Sequence, residues 1–201
     1  MGSTLPRIFL VRHGETEWST TRRHTSSTDI PLTEVGEADA RRLGQGLHGW
    51  RFRQVLTSPL QRAFRTCELS GFGEGAEVVP DLVEFRYGDY EGLTTAQIRA
   101  QRPGWAIFRD GCPGGDSVAE ACARADRVVA RLREARDDVA VFSHAHFIRS
   151  LAARWIGLEI GAAARFTLAT ASVSILGYDH GFDEPVIRLW NDVSFRGGVP
   201  E

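Results

Sequence analysis

Lysine is missing altogether: the 24 basic side chains are all arginine. Genome-wide codon bias explains this more simply than selection on one protein, but the chemical consequence is the same. No phosphate-loop lysine, Schiff-base lysine or serine–lysine dyad can operate here, because each needs an amine. Cysteine is scarce too. Cys67, Cys112 and Cys122 are an odd number without a C-x-x-C pair, which suits structural thiols in a reducing cytosol better than a disulfide framework. No stretch approaches the roughly 20 apolar residues that span a bilayer, and no charged-then-apolar leader opens the chain. Formal net charge is −2, so no global field recruits nucleic acid or an anionic membrane. A cytoplasmic protein with no nucleic-acid or membrane partner is expected, and any anion it binds must be met by locally placed charge.

What the chain has instead is a series of short apolar runs that end in polar groups. Residues 7–12 read as a first strand, with Ile8-Phe9-Leu10-Val11 leading into Arg12-His13-Gly14-Glu15. Thr33 is a natural N-cap for a helix carrying Val35, Ala38, Leu43 and Leu47 as apolar or small positions. A strand at 54–58 precedes a helix at about 60–69 that stops at Ser70-Gly71. Short extended pieces follow at 77–79 and 82–84, then a Gly- and aromatic-rich loop layer at 85–115 with a short helix at 94–102. A long helix from Asp116-Ser117 to about Arg136 carries an apolar stripe. Val139-Ala140-Val141-Phe142-Ser143 is a doubly buried strand, followed by His144-Ala145-His146 and a helix at 147–156. Two last strands, 171–178 and 185–190, form a hairpin around Asp179-His180-Gly181. The pattern predicts one α/β domain over residues 1–201: a three-layer α/β/α sandwich whose sheet is mostly parallel, with one edge strand antiparallel. The late apolar strand and an exposed Trp190 suit either a sheet edge or a homodimer contact.

Parallel α/β folds bind ligands beyond the carboxyl ends of their strands, and three such ends carry matching groups. The first gives Arg12 and His13. The second gives Ser58-Pro59-Leu60-Gln61-Arg62, with Arg62 in a first helical turn whose amides favour anions. The strand at 139–143 gives His144. Two arginines and two histidines in one crevice are unfavourable without an anion, and a phosphoryl group satisfies all four. Transfer to histidine also needs a proton donor for the leaving alkoxide. Glu84 is placed for this, the alternative being a simple ion pair with Arg86. His144 and His146 alternate as strand metal ligands do, yet no carboxylate-rich motif accompanies them, so neither metal nor cofactor is expected.

The segments Arg12-His13-Gly14-Glu15-Thr16-Glu17-Trp18, Ser58-Pro59-Leu60-Gln61-Arg62-Ala63, Glu84 to Gly92 and Ser143-His144 resemble, in order, those of the histidine phosphatase superfamily, in its phosphoglycerate mutase-like branch. The resemblance implies that His13 becomes phosphohistidine, that Arg12, Arg62 and His144 hold the phosphoryl oxygens, and that Glu84 is the general acid and later the base. The outer substrate contacts it implies are Ser19, His24, Thr25, Ser26, Tyr87, Ala145 and His146. Three positions depart from the family pattern: Ser19 stands for Asn, Ser26 for Gly, and Ala145 for Gly. Only about thirty residues separate Glu84 from Asp116, too few for the shielding insertion of the mutases, so phosphohistidine meets water. A phosphatase is therefore expected, with a cofactor-dependent phosphoglycerate mutase as the alternative. Residues 105–117 resemble acid phosphatase- and sedoheptulose-1,7-bisphosphatase-like members, which implies a sugar phosphate or similar small metabolite. Trp105, Arg109, His24 and His146 would wall the substrate or meet a second phosphate.

Overall fold

A computed structural model describes residues 5–194. The elements run β1 (Ile8–Arg12), α1 (Glu17–Thr20), α2 (Glu34–Gly46), β2 (Gln54–Thr57), α3 (Gln61–Leu69), β3 (Glu77–Val78), α4 (Thr95–Gln101), α5 (Ile107–Asp110), α6 (Val118–Arg133), β4 (Val139–Ser143), α7 (Ala145–Trp155), β5 (Val173–Tyr178) and β6 (Pro185–Asp192), with 3-10 turns at Pro80–Leu82, Gly88–Tyr90 and Ile160–Arg165.

Side chains alternate between the faces of a strand, and both faces of β1 are covered. Ile8 and Leu10 pack with Leu56, Val141, Phe147 and Trp155, beneath α6 and α7. Phe9 and Val11 pack with Leu43, Cys67, Ala140 and Phe142, beneath α2 and α3. A strand buried on both faces needs no polar alternation, which is why β1 and β4 read as continuous apolar runs. The sheet order is β3-β2-β4-β1-β5-β6. Its first four strands are parallel, whereas β5 runs antiparallel to β1, with β6 antiparallel outside it. The mostly parallel three-layer α/β/α sandwich is thus the architecture, its single reversed strand lying one in from the edge.

Register sets the site. Arg12 lies opposite Ser143 and Thr57 opposite Phe142, so β1 and β4 end level and β2 ends one residue before them. The next residues, His13, His144 and Ser58, leave the sheet side by side.

Four local expectations change. On α2, Val35 is 54% exposed, while Gly36, Ala40 and Leu43 are buried. The cause is a close approach to the end of β1: a Cβ on Gly36 would lie 2.2 Å from the Glu15 carbonyl oxygen, and one on Gly14 2.5 Å from that of Gly36. The extended piece expected at 82–84 starts as the Pro80–Leu82 turn, since Pro80 has the fixed φ of a helical first position. α7 starts at Ala145, two residues early. Trp190 is half-buried, 5.1 Å from Phe166 between ring centroids, with its indole N–H on the Thr167 carbonyl.

Arg124 lies on the buried face of α6, which an apolar-stripe reading passes over. The irregular segment beneath it has carbonyls without strand partners, and these need donors. Arg124 supplies them, to Asp81, Val83 and Glu84, and pairs with Asp116 at 2.8 Å. Arg124→Met should lower the urea-derived unfolding free energy by about 3 kcal/mol, as expected when one member of a buried pair is removed. An unchanged midpoint contradicts this role.

Candidate active site

His13 is buried beyond the end of β1. Its N–H donates to the Ser143 carbonyl and its own carbonyl accepts from Ala171, each at 3.0 Å. The ring Nδ1 lies 2.7 Å from the Gly14 carbonyl oxygen. A carbonyl only accepts, so Nδ1 carries the proton and Nε2 keeps its lone pair. Arg62, fully buried on the first turn of α3, points its Nε–H at His144 Nδ1, 3.2 Å away. A guanidinium only donates, so the proton of His144 sits on Nε2, which reaches Ser58 Oγ at 2.8 Å. The two imidazole centroids are 5.2 Å apart.

The remaining Arg62 nitrogens donate to the backbone carbonyls of Thr25, Ser26 and Thr28. Arg12 donates from Nη1 to the Leu168 carbonyl at 2.5 Å. Burial, then the charges of Arg62 and Arg12, hold His13 well below the usual imidazole range. Burial and Arg62 do the same to His144. At neutral pH the positive charge therefore belongs to Arg12 and Arg62, and both histidines are neutral.

Glu84 is buried, and both its oxygens are engaged. Oε1 accepts from the amides of Phe85 and Phe147, both at 2.9 Å, and Oε2 from that of His146 at 3.1 Å. The carboxyl thus caps the N-terminus of α7, a favourable place for it. Arg86 is not its partner, because Arg86 pairs with Asp116 at 2.6 Å.

The outer residues divide. His24, Trp105 and His146 line a cavity of about 190 Å³ together with Arg99, Phe108 and Arg149. Tyr87 braces it, its hydroxyl 2.6 Å from His146 Nδ1 and its ring 4.6 Å from His24. Arg109 does not join them; it is 67% exposed and paired with Asp110. Ser19 engages its hydroxyl with Thr16 in the capping box of α1. Ser26 is tied by its amide and hydroxyl to Glu91, and Thr25 bonds the Arg23 carbonyl; both hold the loop whose carbonyls fix Arg62. Ala145 is not among the residues with positive φ, so its methyl brings no backbone strain there. His144 and His146 face different partners rather than one metal-binding direction. Sequence reasoning missed Arg149, although His146 and Arg149 are three apart and share a helix face. It missed Arg99 as well, which follows Thr95 by one turn of α4.

The sequence matches the histidine phosphatase superfamily (branch 1) over residues 8–193. The chain belongs to this superfamily. It is 43% identical over 185 residues to an acid phosphatase of Mycobacterium tuberculosis, covering 90% of this chain and 91% of that protein. It is 36% identical over 193 residues to sedoheptulose 1,7-bisphosphatase of Saccharomyces cerevisiae, covering 80% of this chain and 71% of that one. The solved structure of a Mycobacterium tuberculosis open reading frame has a TM-score of 0.88 at 40% identity, covering 92% of this chain and 97% of that chain. This histidine phosphatase is a phosphomonoester hydrolase acting on small phosphorylated substrates. No helix among its described residues is long and apolar enough to cross a membrane.

The buried imidazoles of the phosphatase give it a characteristic pH response. Burial brings His24 from the usual 6.5 to about 4, and His13, His144 and His146 also lie well below the usual value. The unfolded chain then binds more protons than the folded one below about pH 6.5. Stability is fully present above that unfolded value and is lost as pH falls toward the folded one. Urea midpoints should therefore drop between about pH 7.5 and pH 5, above the range where most carboxylates titrate. His24→Gln should flatten the slope. Equal midpoints at both pH values contradict the neutral assignment.

Proposed function

We propose that the enzyme hydrolyses the phosphomonoester of a sugar phosphate or similar small metabolite through a phosphohistidine on His13. The observation that carries this reading is the Nδ1–H bond of His13 to the Gly14 carbonyl, which leaves Nε2 as a nucleophile beside the buried charge of Arg62 and the part-buried one of Arg12. Nε2 attacks phosphorus as the bond to the leaving oxygen breaks, and Glu84 gives that oxygen its proton. Oε2, with one amide against two on Oε1, is the oxygen with room for the proton. In the second half Glu84 takes a proton from water, the water oxygen bonds to phosphorus, and the P–Nε2 bond breaks to release inorganic phosphate.

Developing charge on the phosphoryl oxygens is met by groups fixed beforehand, the main source of electrostatic catalysis. Arg12 contributes its guanidinium. Arg62 acts chiefly as a buried charge, since four of its contacts are to His144 and three backbone carbonyls. The Nε2–H of His144, now on Ser58 Oγ, is the donor a phosphoryl oxygen takes over.

The cavity supports the substrate class. It adjoins Glu84, because His146 both lines it and donates its amide to that carboxyl, so it is where the leaving alcohol sits. Its described lining combines aromatic faces with Arg99 and Arg149 and holds no carboxylate. Such a wall suits a hydroxylated carbon chain bearing further negative charge, in keeping with the relative named for a sugar bisphosphate. Hydrolysis rather than transfer is favoured by the shortness of the segment between Glu84 and Asp116, whose aromatics pack inward on one another.

Phosphate release across a panel of sugar phosphates, phosphoglycerates and p-nitrophenyl phosphate tests this. At least one sugar phosphate should exceed the aryl ester in kcat/KM, and His13→Ala should be inactive on all. Glu84→Gln should lose about a hundredfold or more in kcat/KM on the sugar ester and much less in kcat/KM on the aryl ester, whose nitrophenolate leaves without a proton, while kcat falls on both because the water step needs Glu84. No sugar phosphate above the aryl ester sinks the substrate class. Phosphoglycerate interconversion faster than phosphate release establishes the mutase alternative.

A further inference from the structure

We infer that the hydroxyl of Thr66 positions His13 for attack, acting through the backbone of Gly14. This rests on the reading of His13 as nucleophile. Thr66 is fully buried on α3, four residues after Arg62 and so on the same helix face. Its hydroxyl donates to the Arg62 carbonyl at 2.7 Å, a back-bond that leaves the oxygen able to accept. What it accepts is the N–H of Gly14, at 3.0 Å. The carbonyl of the same glycine takes the Nδ1 proton of His13 at 2.7 Å.

One residue without a side chain thus orients the nucleophile, and Thr66 is what holds its N–H. Gly14 cannot be braced by a side chain of its own, because the space is filled by the Gly36 carbonyl. A threonine serving only its own helix would need the Arg62 carbonyl and nothing more. Here the same hydroxyl ties the end of β1 to the helical turn carrying Arg62, so nucleophile and buried cation keep one register. Without it, the Gly14 N–H is buried and unsatisfied, and the 13–14 peptide rotates to find another acceptor, turning the Gly14 carbonyl, joined to it through the same Cα, away from Nδ1. The Nδ1–H bond then lengthens, and the neutral ring is free to carry its proton on Nε2, where it blocks attack. Thr66 touches no phosphoryl oxygen in this scheme; it is a positioning residue.

The test combines p-nitrophenyl phosphate kinetics with imidazole nitrogen NMR, on the wild type, Thr66→Val, Thr66→Ser and His13→Ala. The His13 signals, assigned by their loss in His13→Ala, should show the Nδ1–H tautomer in the wild type. Thr66→Val should lose about tenfold in kcat, with KM within about twofold, and should show the Nε2–H tautomer appearing. Thr66→Ser, which keeps the hydroxyl, should restore both readouts. Unchanged kcat and tautomer in Thr66→Val overturn the inference, as does a loss in Thr66→Ser equal to that in Thr66→Val. An Nε2–H tautomer in the wild type overturns it too, and that measurement needs no variant to fold. Retained activity in His13→Ala removes the nucleophile reading instead; an inactive His13→Ala beside a normal Thr66→Val counts against Thr66 alone.

Discussion

The hydrogen bond from His13 Nδ1 to the Gly14 carbonyl, 2.7 Å long, constrains the molecule more than any other contact. It joins adjacent residues, so it survives only while the main chain there is held still. The surroundings do this from every side. His13 is anchored through its N–H to β4 and through its carbonyl to Ala171, which sits at φ 48°, a conformation uncommon outside glycine. Gly14 is pressed against Gly36 so closely that neither tolerates a Cβ. The small residues on the buried face of α2, the level ends of β1 and β4, and the irregular turn before β5 all serve this one geometry.

Charge follows from the same burial. An imidazole protonated among Arg12 and Arg62 would be both repelled and desolvated, so His13 and His144 stay neutral and only the arginines are cationic. A neutral His13 can attack; a protonated one cannot. Arg62 keeps its charge in a fully buried position because carbonyls of residues 25, 26 and 28 solvate it, and that loop is itself tethered to Glu91 through Ser26. On the opposite side Arg124 fastens the carbonyls leading to Glu84. Both halves of the site therefore depend on arginines that bind main chain, a use of charge that fits a sequence with no lysine.

Much of this was legible in the sequence. Ile8-Phe9-Leu10-Val11 read as a strand and Val139 to Phe142 as one covered on both faces, and polar residues at their ends marked the crevice. Arg12, His13, Arg62, Glu84 and His144 were singled out at strand ends. What remained hidden depends on direction rather than position. Ser19 and Ser26 are hydroxyls near a phosphate-binding motif, but the first closes a local capping box with Thr16 and the second is held by Glu91, 65 residues away, a contact that only the tertiary structure shows. Arg109 and Arg149 are equally plausible anion contacts on paper, yet the short turn of α5 points the first to solvent while the face shared with His146 points the second into the cavity. Val35 on α2 illustrates the same limit, since small residues, not large ones, were wanted where the helix meets Glu15.

Rapid-quench trapping addresses the phosphohistidine directly. Enzyme mixed with excess phosphomonoester is stopped in alkali within one turnover, and the peptides are mapped by mass spectrometry. A phosphoryl group on His13, formed within the first turnover and absent from His13→Ala, is the predicted result. Phosphate release with no phosphoenzyme in the first turnover, or label on any other residue, contradicts it.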